Sequence, residues 1–511
     1  GTMNWDEAPA KTNGNIALIP YISSGLSQNR EDNEPTEGKF NVGGDAKIAL
    51  TSSLNLDLTL NPDFSNVDVD QQVTNVSRFS VFFPEKRAFF LENSDLFAGF
   101  GPWRIKPFFS RNIGIHDGDQ VPIVFGARVS GNLTDNLRIG VMDVQTKETS
   151  ELYAQNYLVT SAEHRVLKRS SIKMMFNNMQ ASAADEGGLL EYNRTAGSEF
   201  NFSTVDGRWT GAIRGHWSTT EEELDDNNMY AAQFGYQGNH LSAGMSYSSV
   251  QSNYIARMGF TPQLFHNNAE TEDDERIGYQ NIYPWMEYQW TGREGAIFRQ
   301  QNINAWSTFQ YEQNGDFMAK TFGLNWSILF NNNFRLRLAA TQKETQLQVP
   351  TDLIDQDVYL PENKYAYGNF QVNISTNRSK RLSTEAGLNV GQFFSGEKYT
   401  LSESIKLRMQ PWGVLSLAYE FNYVDLGYDY GSTKLHLLGA KSEISLRNNM
   451  WWTTFFQLNT QNENVNINSR LQWRYKPMSD LFIVYSDNYT SQDFETKNRG
   501  IVFKLTYWLN L

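Results

Sequence analysis

The feature that most constrains this chain is a two-residue alternation of apolar and polar side chains that recurs along its length. Residues 54–60 read LNLDLTL, residues 334–340 read FRLRLAA and residues 500–511 read GIVFKLTYWLNL. Successive side chains of a β-strand point to opposite faces, so each segment has one apolar face and one polar face. Almost no window shows helical periodicity, so the pattern predicts an all-β chain.

The connections between these segments differ in length in a regular way. The alternation predicts about 24 strands, within a range of about 22 to 26, with boundaries good to a few residues. Tight turns such as 411–413 follow the even strands, and longer segments such as 27–38, 253–278 and 346–363 follow most odd strands. Short turns at one end and long loops at the other are typical of a bacterial outer-membrane barrel. We therefore predict a transmembrane, antiparallel, up-and-down β-barrel.

A soluble β-sandwich and a propeller are the alternatives to a barrel. A propeller would repeat a blade motif about every 40–50 residues, and the sequence contains no such repeat. In hydrocarbon every backbone polar group needs a protein partner, so the sheet must close and the last strand must pair with the first. The sequence contains no run of about 18 apolar residues, so it predicts no transmembrane helix. We interpret residues 1–12 as a tag remnant with a lead-in, and residues 13–511 as one barrel domain.

Residues 65–120 interrupt the alternation and form the longest insertion, on the long-loop, extracellular side. The segment contains nine phenylalanines, and leaving such side chains in water forgoes about 1.5–3 kcal/mol each. A barrel of this size would otherwise enclose a wide lumen, and barrels of about 22 strands are plugged. We therefore expect the segment to fold into the lumen as a plug or constriction, with Arg87 and Arg111 paired to Glu85, Glu92 or lumen acids. The residues predicted to form this lumen-loop motif are Asp63, Phe64, Arg78, Phe82, Phe83, Pro84, Glu85, Lys86, Arg87, Phe89, Phe90, Glu92, Phe108, Phe109 and Arg111.

Charged residues on the polar faces of the strands are candidates to line a pore, because barrel interiors are polar. These candidates are Asp57, Arg335, Arg337, Lys406, Arg408, Glu420 and Lys504. We predict no cofactor, with calcium at Asp63, Asp68 and Asp70 as the one option, since three carboxylates could bind it although their spacing matches no EF-hand.

The sequence lacks the local motifs of common enzymes. It contains no GxSxG, HExxH or CxxC motif and no phosphate-binding glycine loop, and its six histidines form no ligand pair. We predict that the chain is not an enzyme, with a membrane-embedded hydrolase as an alternative because a Ser–His–Asp set can be distant in sequence. The net charge of −13 argues against nucleic acid as a partner, and the absence of cysteine excludes disulfides.

One stretch resembles a known family. "LNPDFSNVDVDQQVTNVSRFSVFFPEKRAFFLENSDLF", followed by "PFFSRNIG", resembles a C-terminal domain of unknown function from envelope proteins of Bacteroidota-type bacteria, which commonly follows a family-9 carbohydrate-binding-like domain. Ala88 stands where that family usually has proline. The resemblance covers nearly the whole chain and implies an outer-membrane location, but no substrate or reaction. The matching residues are Asn61, Pro62, Asp63, Phe64, Arg78, Phe79, Phe82, Phe83, Pro84, Glu85, Lys86, Arg87, Phe89, Phe90, Glu92, Phe108, Phe109, Ser110, Arg111, Ile113 and Gly114.

Two functions fit a loop-occluded barrel in the outer membrane of a Gram-negative bacterium. The first is a channel or receptor for a polar solute, with a glycan-derived solute as one candidate. The second is a non-catalytic accessory or platform subunit of a larger outer-membrane complex. A TonB-energised transporter has less support, because those proteins carry a folded N-terminal plug domain. The expected partners are outer-membrane lipid, other outer-membrane or periplasmic subunits, and the solute.

Overall fold

A computed structural model describes residues 15–31, 33–116, 118–150, 152–184, 190–222, 224–356 and 358–511. The predicted tag remnant at 1–12 lies outside this part of the chain. No helix among the described residues is long and apolar enough to span a membrane.

The described residues form one sheet of 24 antiparallel strands that closes on itself. Each strand pairs with the next along the chain, and the last pairs with the first, with Ile22 opposite Leu505 and Leu26 opposite Ile501. The closed antiparallel barrel and its strand number confirm the prediction. The strands are β1 Ile16–Asn29, β2 Glu37–Ala49, β3 Leu54–Leu60, β4 Ile123–Asn132, β5 Leu137–Thr146, β6 Gln155–Val166, β7 Ser170–Ala181, β8 Tyr192–Ser203, β9 Trp209–Thr220, β10 Asn228–Gln237, β11 Leu241–Val250, β12 Tyr279–Thr291, β13 Phe298–Glu312, β14 Phe317–Phe330, β15 Arg335–Gln346, β16 Lys364–Ser375, β17 Leu382–Phe393, β18 Gly396–Met409, β19 Gly413–Asp425, β20 Ser432–Arg447, β21 Met450–Asn459, β22 Asn464–Lys476, β23 Ser479–Thr490 and β24 Thr496–Thr506, which resumes as Leu509–Asn510.

The outer surface of the barrel is apolar and the inner surface is polar. In β3, Leu60 is 61% exposed, whereas Asp57 and Thr59 are buried. The same alternation leaves large apolar side chains exposed around the whole circumference, an outer surface suited to lipid. Examples are Ile22, Phe40, Ile213, Phe234, Met245, Met286, Leu324, Phe370, Leu388, Leu417, Trp452 and Phe503.

The segment between β3 and β4 folds inward and carries most of the short secondary structure. It contains helices α1 Ala88–Leu91 and α2 Asp95–Ala98, the 3-10 turn Ser110–Asn112 and a small hairpin of Ile115–His116 with Asp119–Gln120. Phe90, Leu96 and Phe97 are buried. They pack with Met142, Val144 and Met175 of the barrel wall in one apolar cluster. The main core therefore lies inside the barrel, between this loop and β5–β7.

Three long loops are joined to one another at the long-loop end. The loop between β11 and β12 contains the 3-10 turn Pro262–Leu264 and the hairpin of Phe265–Asn268 with Asp273–Arg276. Its Phe260 exchanges backbone hydrogen bonds with Lys106 of the inward-folded loop, at 2.9 and 2.8 Å. The backbone N–H of Ala269 donates to the carbonyl of Pro350, in the loop between β15 and β16, at 2.9 Å. The inward-folded loop is thus covered by two other loops.

Candidate functional site

The two best-matched parts of the loop motif, residues 84–87 and 108–111, meet in one hydrogen-bonded node. Arg87 donates from Nη1 to the carbonyl of Ile113 at 2.7 Å, from Nη2 to the carbonyl of Ser110 at 2.6 Å, and to both oxygens of Glu85 at 2.8–2.9 Å. The Ser110 hydroxyl donates to Glu85 Oε2 at 2.7 Å. Burial opposes the ionisation of Glu85, but the bonds from Arg87 and Ser110 outweigh it and hold its pKa below the usual range. The node is a satisfied ion pair that ties the two halves of the loop together.

The aspartates considered for calcium are neutralised separately rather than gathered. Asp70 pairs with Lys86 at 3.0 Å and also with Arg111, whereas Asp68 pairs with Arg470 of β22 at 2.6 Å. Asp63 accepts a bond from the backbone of Ser65. Among the described residues, no group of three or more His, Cys, Asp or Glu could hold a metal ion. Asp68 therefore ties the loop to the wall, whereas Asp70 joins two parts of the loop itself.

Charged residues of β2, β3 and β4 hold the part of the loop around Phe89 and Glu92. Arg128, which is 1% exposed, donates to Asp57 Oδ2 at 2.6 Å and to the carbonyl of Phe89. Lys47 bridges Asp57 at 3.0 Å and Glu92. Asp57, predicted to line a pore, therefore lies beneath the loop and holds it.

Lys504 of β24, the strand that pairs with β1 where the sheet closes, also contacts the loop. Its ammonium group donates to the carbonyl of Asp63 and to Asn66 Oδ1 at 2.9 Å. Further along the wall, Arg470 donates to the carbonyl of Asn66 at 2.7 Å. Gln457 of β21 accepts from the N–H of Gln72 and donates to its carbonyl, each at 2.9 Å.

Aromatic side chains of the motif pack on one another and against glycines of the wall strands. The Arg87 guanidinium lies 4.3 Å from the ring centre of Phe90, and Phe64 flanks it on the other side at 5.4 Å. Phe82, which is 47% exposed, stacks at 4.8 Å on Phe109. The remaining predicted aromatics also contact other groups: Phe108 lies near Phe97, Phe89 near Phe90, and Phe83 lines a cavity of about 410 Å³ beside β21 with Pro84.

An anchor that the sequence analysis did not identify lies on β8 and β9. Glu199 accepts the backbone N–H of Gly101 at 2.7 Å, and His216 Nε2 and Arg214 lie 3.0 and 3.3 Å from its two oxygens. Asn177 of β7 similarly donates to the carbonyl of Pro107 at 3.1 Å. Polar residues on the inner face were the only available signal, and nothing in their spacing indicates which of them meets the loop.

Among the described residues, two large cavities in the lumen adjoin the inward-folded loop. One, of about 1150 Å³, is lined by Arg335, Arg337, Lys406 and Glu420 and reaches Asn377 in a tight turn. The other, of about 1040 Å³, reaches Thr210, two residues from the tight turn after β8. Arg408 lies at the tight-turn rim, where it donates to the carbonyl of Lys380 at 3.2 Å.

Comparison with known proteins places the chain in a family. Residues 15–505 match the sequence profile of a domain of unknown function, DUF5916. The chain belongs to the DUF5916 family. No curated protein matches this DUF5916 chain.

Several solved structures are similar to this DUF5916 chain at low sequence identity. The siderophore receptor PirA from Acinetobacter baumannii is 8% identical over 98% of this chain and 81% of that chain, with a TM-score of 0.44. The outer-membrane ferripyoverdine receptor of Pseudomonas aeruginosa is 10% identical over 76% and 70%, with a TM-score of 0.43. The ferric yersiniabactin uptake receptor FyuA from Yersinia pestis is 8% identical over 96% and 80%, with a TM-score of 0.40.

The predicted site residues of the DUF5916 chain do not gather in one site. The motif residues gather around the Glu85–Arg87 node and on the adjoining wall. Asp57 and Lys504 lie under the loop. Arg335, Arg337, Lys406 and Glu420 share the larger cavity, whereas Arg78 lines the other cavity, away from the node.

Proposed function

We propose that this DUF5916 barrel lies in the outer membrane of a Gram-negative bacterium and receives or passes a polar solute, with the inward-folded loop closing its lumen. The observation that carries the proposal is the distribution of the loop's anchors. Lys47, Asp57 and Arg128 hold it on β2–β4, and residues of β7–β8 and of β21–β24 hold it elsewhere on the circumference. A segment fixed to separated arcs of the wall spans the bore.

The lumen beside the loop supports a polar solute rather than an apolar one. Its larger cavity is lined by arginines and lysines interspersed with Glu385, Glu403, Glu420 and Glu443. Such walls are hydrated and favour solutes that exchange water for hydrogen bonds. The exposed apolar side chains on the outside face in turn support placement in a lipid bilayer.

Single-channel recording in planar bilayers tests passage. The intact chain is expected to conduct little, whereas deletion of residues 70–105 is expected to give large, stable current steps because it removes the segment that spans the bore. Folding of both proteins is checked by the heat-dependent shift in gel mobility that closed barrels show. A folded deletion variant that passes no current would contradict the channel and favour a receptor or platform.

A platform subunit is the second candidate, and an outward groove favours it. The groove has a volume of about 900 Å³ and crosses β12–β17, with small residues such as Ala305, Ala340 and Gly368 between Phe322 and Phe370. Small residues between large ones allow a partner's backbone to approach closely in lipid. Co-purification from native membranes tests this candidate, and isolation of the barrel alone would count against it.

A further inference from the structure

The cavity of about 1040 Å³ differs from the rest of the lumen in the sign of its charge. It lies between the inward-folded loop and the inner faces of β9–β15. Arg78 and Arg104 of the loop and Arg214 and Lys343 of the wall line it, and no aspartate or glutamate does so among the described residues. Arg214 pairs with Glu199 at 3.3 Å. In a chain whose net charge is −13, the other three cations give the chamber a positive charge that attracts anions.

Two of these cations lack an anionic partner. Within the described part of the chain, the side chains of Arg78 and Lys343 make no hydrogen bond or ion pair. Each lies over an aromatic ring, with Arg78 at 5.0 Å from the ring centre of Phe79 and Lys343 at 5.8 Å from that of Tyr367. Arg78 Nη1 is buried and unsatisfied, whereas the two side chains as a whole are half-buried. An unpaired cation that has lost part of its water is costly, so the arrangement is stabilised if an anion binds between them.

The two cations are also electrostatic neighbours. The charge of Arg78 acts on Lys343 and on His266, and the described residues that line the cavity include no aspartate or glutamate to offset it. Like charges near one another in a poorly hydrated site repel, and a bound anion relieves that repulsion. Two other arginines of the loop do have acidic partners. Arg87 pairs with Glu85, and Arg111 pairs with Asp70.

The remaining walls of the cavity supply flat apolar surfaces. Tyr283 and Trp306 lie with their ring centres 6.1 Å apart, and Trp285 lies beside them in the lining. From the loop, Trp103 projects with 82% of its surface exposed. Aromatic faces of this kind stack on rings, whether of sugars or of aromatic acids.

We infer that this chamber binds a carboxylate attached to a ring, with Arg78 and Lys343 holding the carboxylate and the Trp285–Trp306 wall holding the ring. The inference rests on the proposed function, because it names the class of polar solute that the lumen receives. Arg78 belongs to the loop and Lys343 to the wall, so the same carboxylate also ties the loop to β15. Binding of the solute and position of the loop are thereby coupled.

Isothermal titration calorimetry on the full chain in detergent tests the site. The probes are glucuronate and benzoate, with methyl glucoside as the neutral ring of matched size. We expect at least one of the two carboxylates to bind about tenfold or more tightly than methyl glucoside, since bonds to charged groups contribute that much. The better of the two probes identifies the ring as a sugar or an aromatic acid.

Three variants locate the binding. Arg78→Gln and Lys343→Gln should each weaken carboxylate binding about tenfold or more. Arg208→Gln, in the tight turn after β8 and outside both cavities, should leave it unchanged. Equal binding of neutral and anionic probes, absence of carboxylate binding, or equal losses in all three variants would overturn the site. All variants are first shown to be closed barrels by gel mobility.

The calorimetry and the bilayer recordings can reject the chamber and the channel independently of each other. A deletion variant that conducts while the intact chain binds no carboxylate would retain the channel and reject the chamber. Carboxylate binding by the intact chain without conductance of the deletion variant would retain the chamber in a receptor that passes nothing by simple diffusion.

Discussion

Individual buried charges decide where the inward-folded loop is held. Glu85 with Arg87 and Asp57 with Arg128 are largely buried pairs that make further hydrogen bonds to backbone or side chains, although Arg128 Nε has no partner. Replacing such a pair by apolar groups can be neutral, but removing one partner leaves a buried charge unpaired. Single substitutions in these pairs are therefore sensitive probes of the loop.

Arg87→Met should loosen the loop without opening the barrel. It leaves Glu85 buried and unpaired, at a cost of about 3–5 kcal/mol, and it frees the carbonyls of Ser110 and Ile113. Chymotrypsin should then cleave within residues 65–120 much faster than in the parent chain. Arg104→Met, at an exposed loop position, is the control, and equal cleavage of the two variants would contradict the role of the node.

His266 makes the packing of the covering loop depend on pH. Burial, and then the charge of Arg78, lower the pKa of His266 from 6.5 to about 4. Because the folded chain binds this proton more weakly than the unfolded chain, stability should fall as the pH drops from about 6.5 to about 4, by about 3 kcal/mol in all. The other charge nearby, Glu275, already accepts a bond from Asn268 at 2.9 Å.

Thermal unfolding midpoints from pH 7 to pH 4 measure this effect. The parent chain should lose stability over that interval more steeply than His266→Leu, which removes the titrating group and keeps an apolar side chain against Phe79. Parallel curves for the two proteins would show that His266 does not titrate in the folded state as described.

At the scale of elements, the two short helices of the loop pack against glycines of the wall strands. A Cβ at Gly126 of β4 would lie 2.9 Å from the Phe89 ring, and one at Gly140 of β5 would lie 2.7 Å from the Phe97 ring. Helices of four residues gain little stability from their own hydrogen bonds. Their position is therefore set by these aromatic contacts, which require the wall to lack side chains there.

Gly140→Val should displace α2 from the wall. The added methyl groups would collide with Phe97 and with the Ser161 hydroxyl, which lies 2.8 Å from the Cβ position. Overpacking of this kind costs about 1–3 kcal/mol and should lower the unfolding midpoint and expose the loop to chymotrypsin. Gly215→Val faces outward with its nearest atom at 3.8 Å. The two variants behaving alike would refute the seating of α2 on Gly140.

At the scale of the whole molecule, closure of the sheet separates two solvents. The outside is apolar enough for lipid, and the inside holds charges, amides and two cavities beside the loop. Because the sheet has period two, adjacent residues of one strand experience these different environments. Met245 of β11 is 55% exposed on the outside, and Ser246 lines the chamber.

The same substitution should destabilise the barrel much more at Met245 than at Ser246. Met245→Arg places a charge against hydrocarbon at a cost of about 2–4 kcal/mol near mid-bilayer. Ser246→Arg places it inside the lumen, away from hydrocarbon, where the cost should be smaller and should come from repulsion by the cations of the chamber. Folding yield into lipid vesicles measures the difference, and equal yields would contradict the assignment of the two faces.

The sequence by itself determined the strands, their number, their two faces and the segment that does not belong to the wall. These are local properties: a period of two and a break in it can be read from neighbouring residues, and the phenylalanine-rich segment showed that residues 65–120 need burial. The position of Arg87 beside Glu85 was likewise predictable, because the two are close in the chain.

Only the tertiary structure decided which wall residues meet the loop. Gln72 and Gln457 exchange hydrogen bonds although 385 positions separate them. Asp57 and Lys504 looked like pore-lining charges but hold the loop, and Glu199 was not distinguished from other inward polar residues. Arg78 was grouped with the lumen-loop motif yet lines a separate cavity together with Lys343. Alternation fixes the face on which a side chain lies, but its partner across the lumen depends on how the closed sheet curves and where the loop enters it.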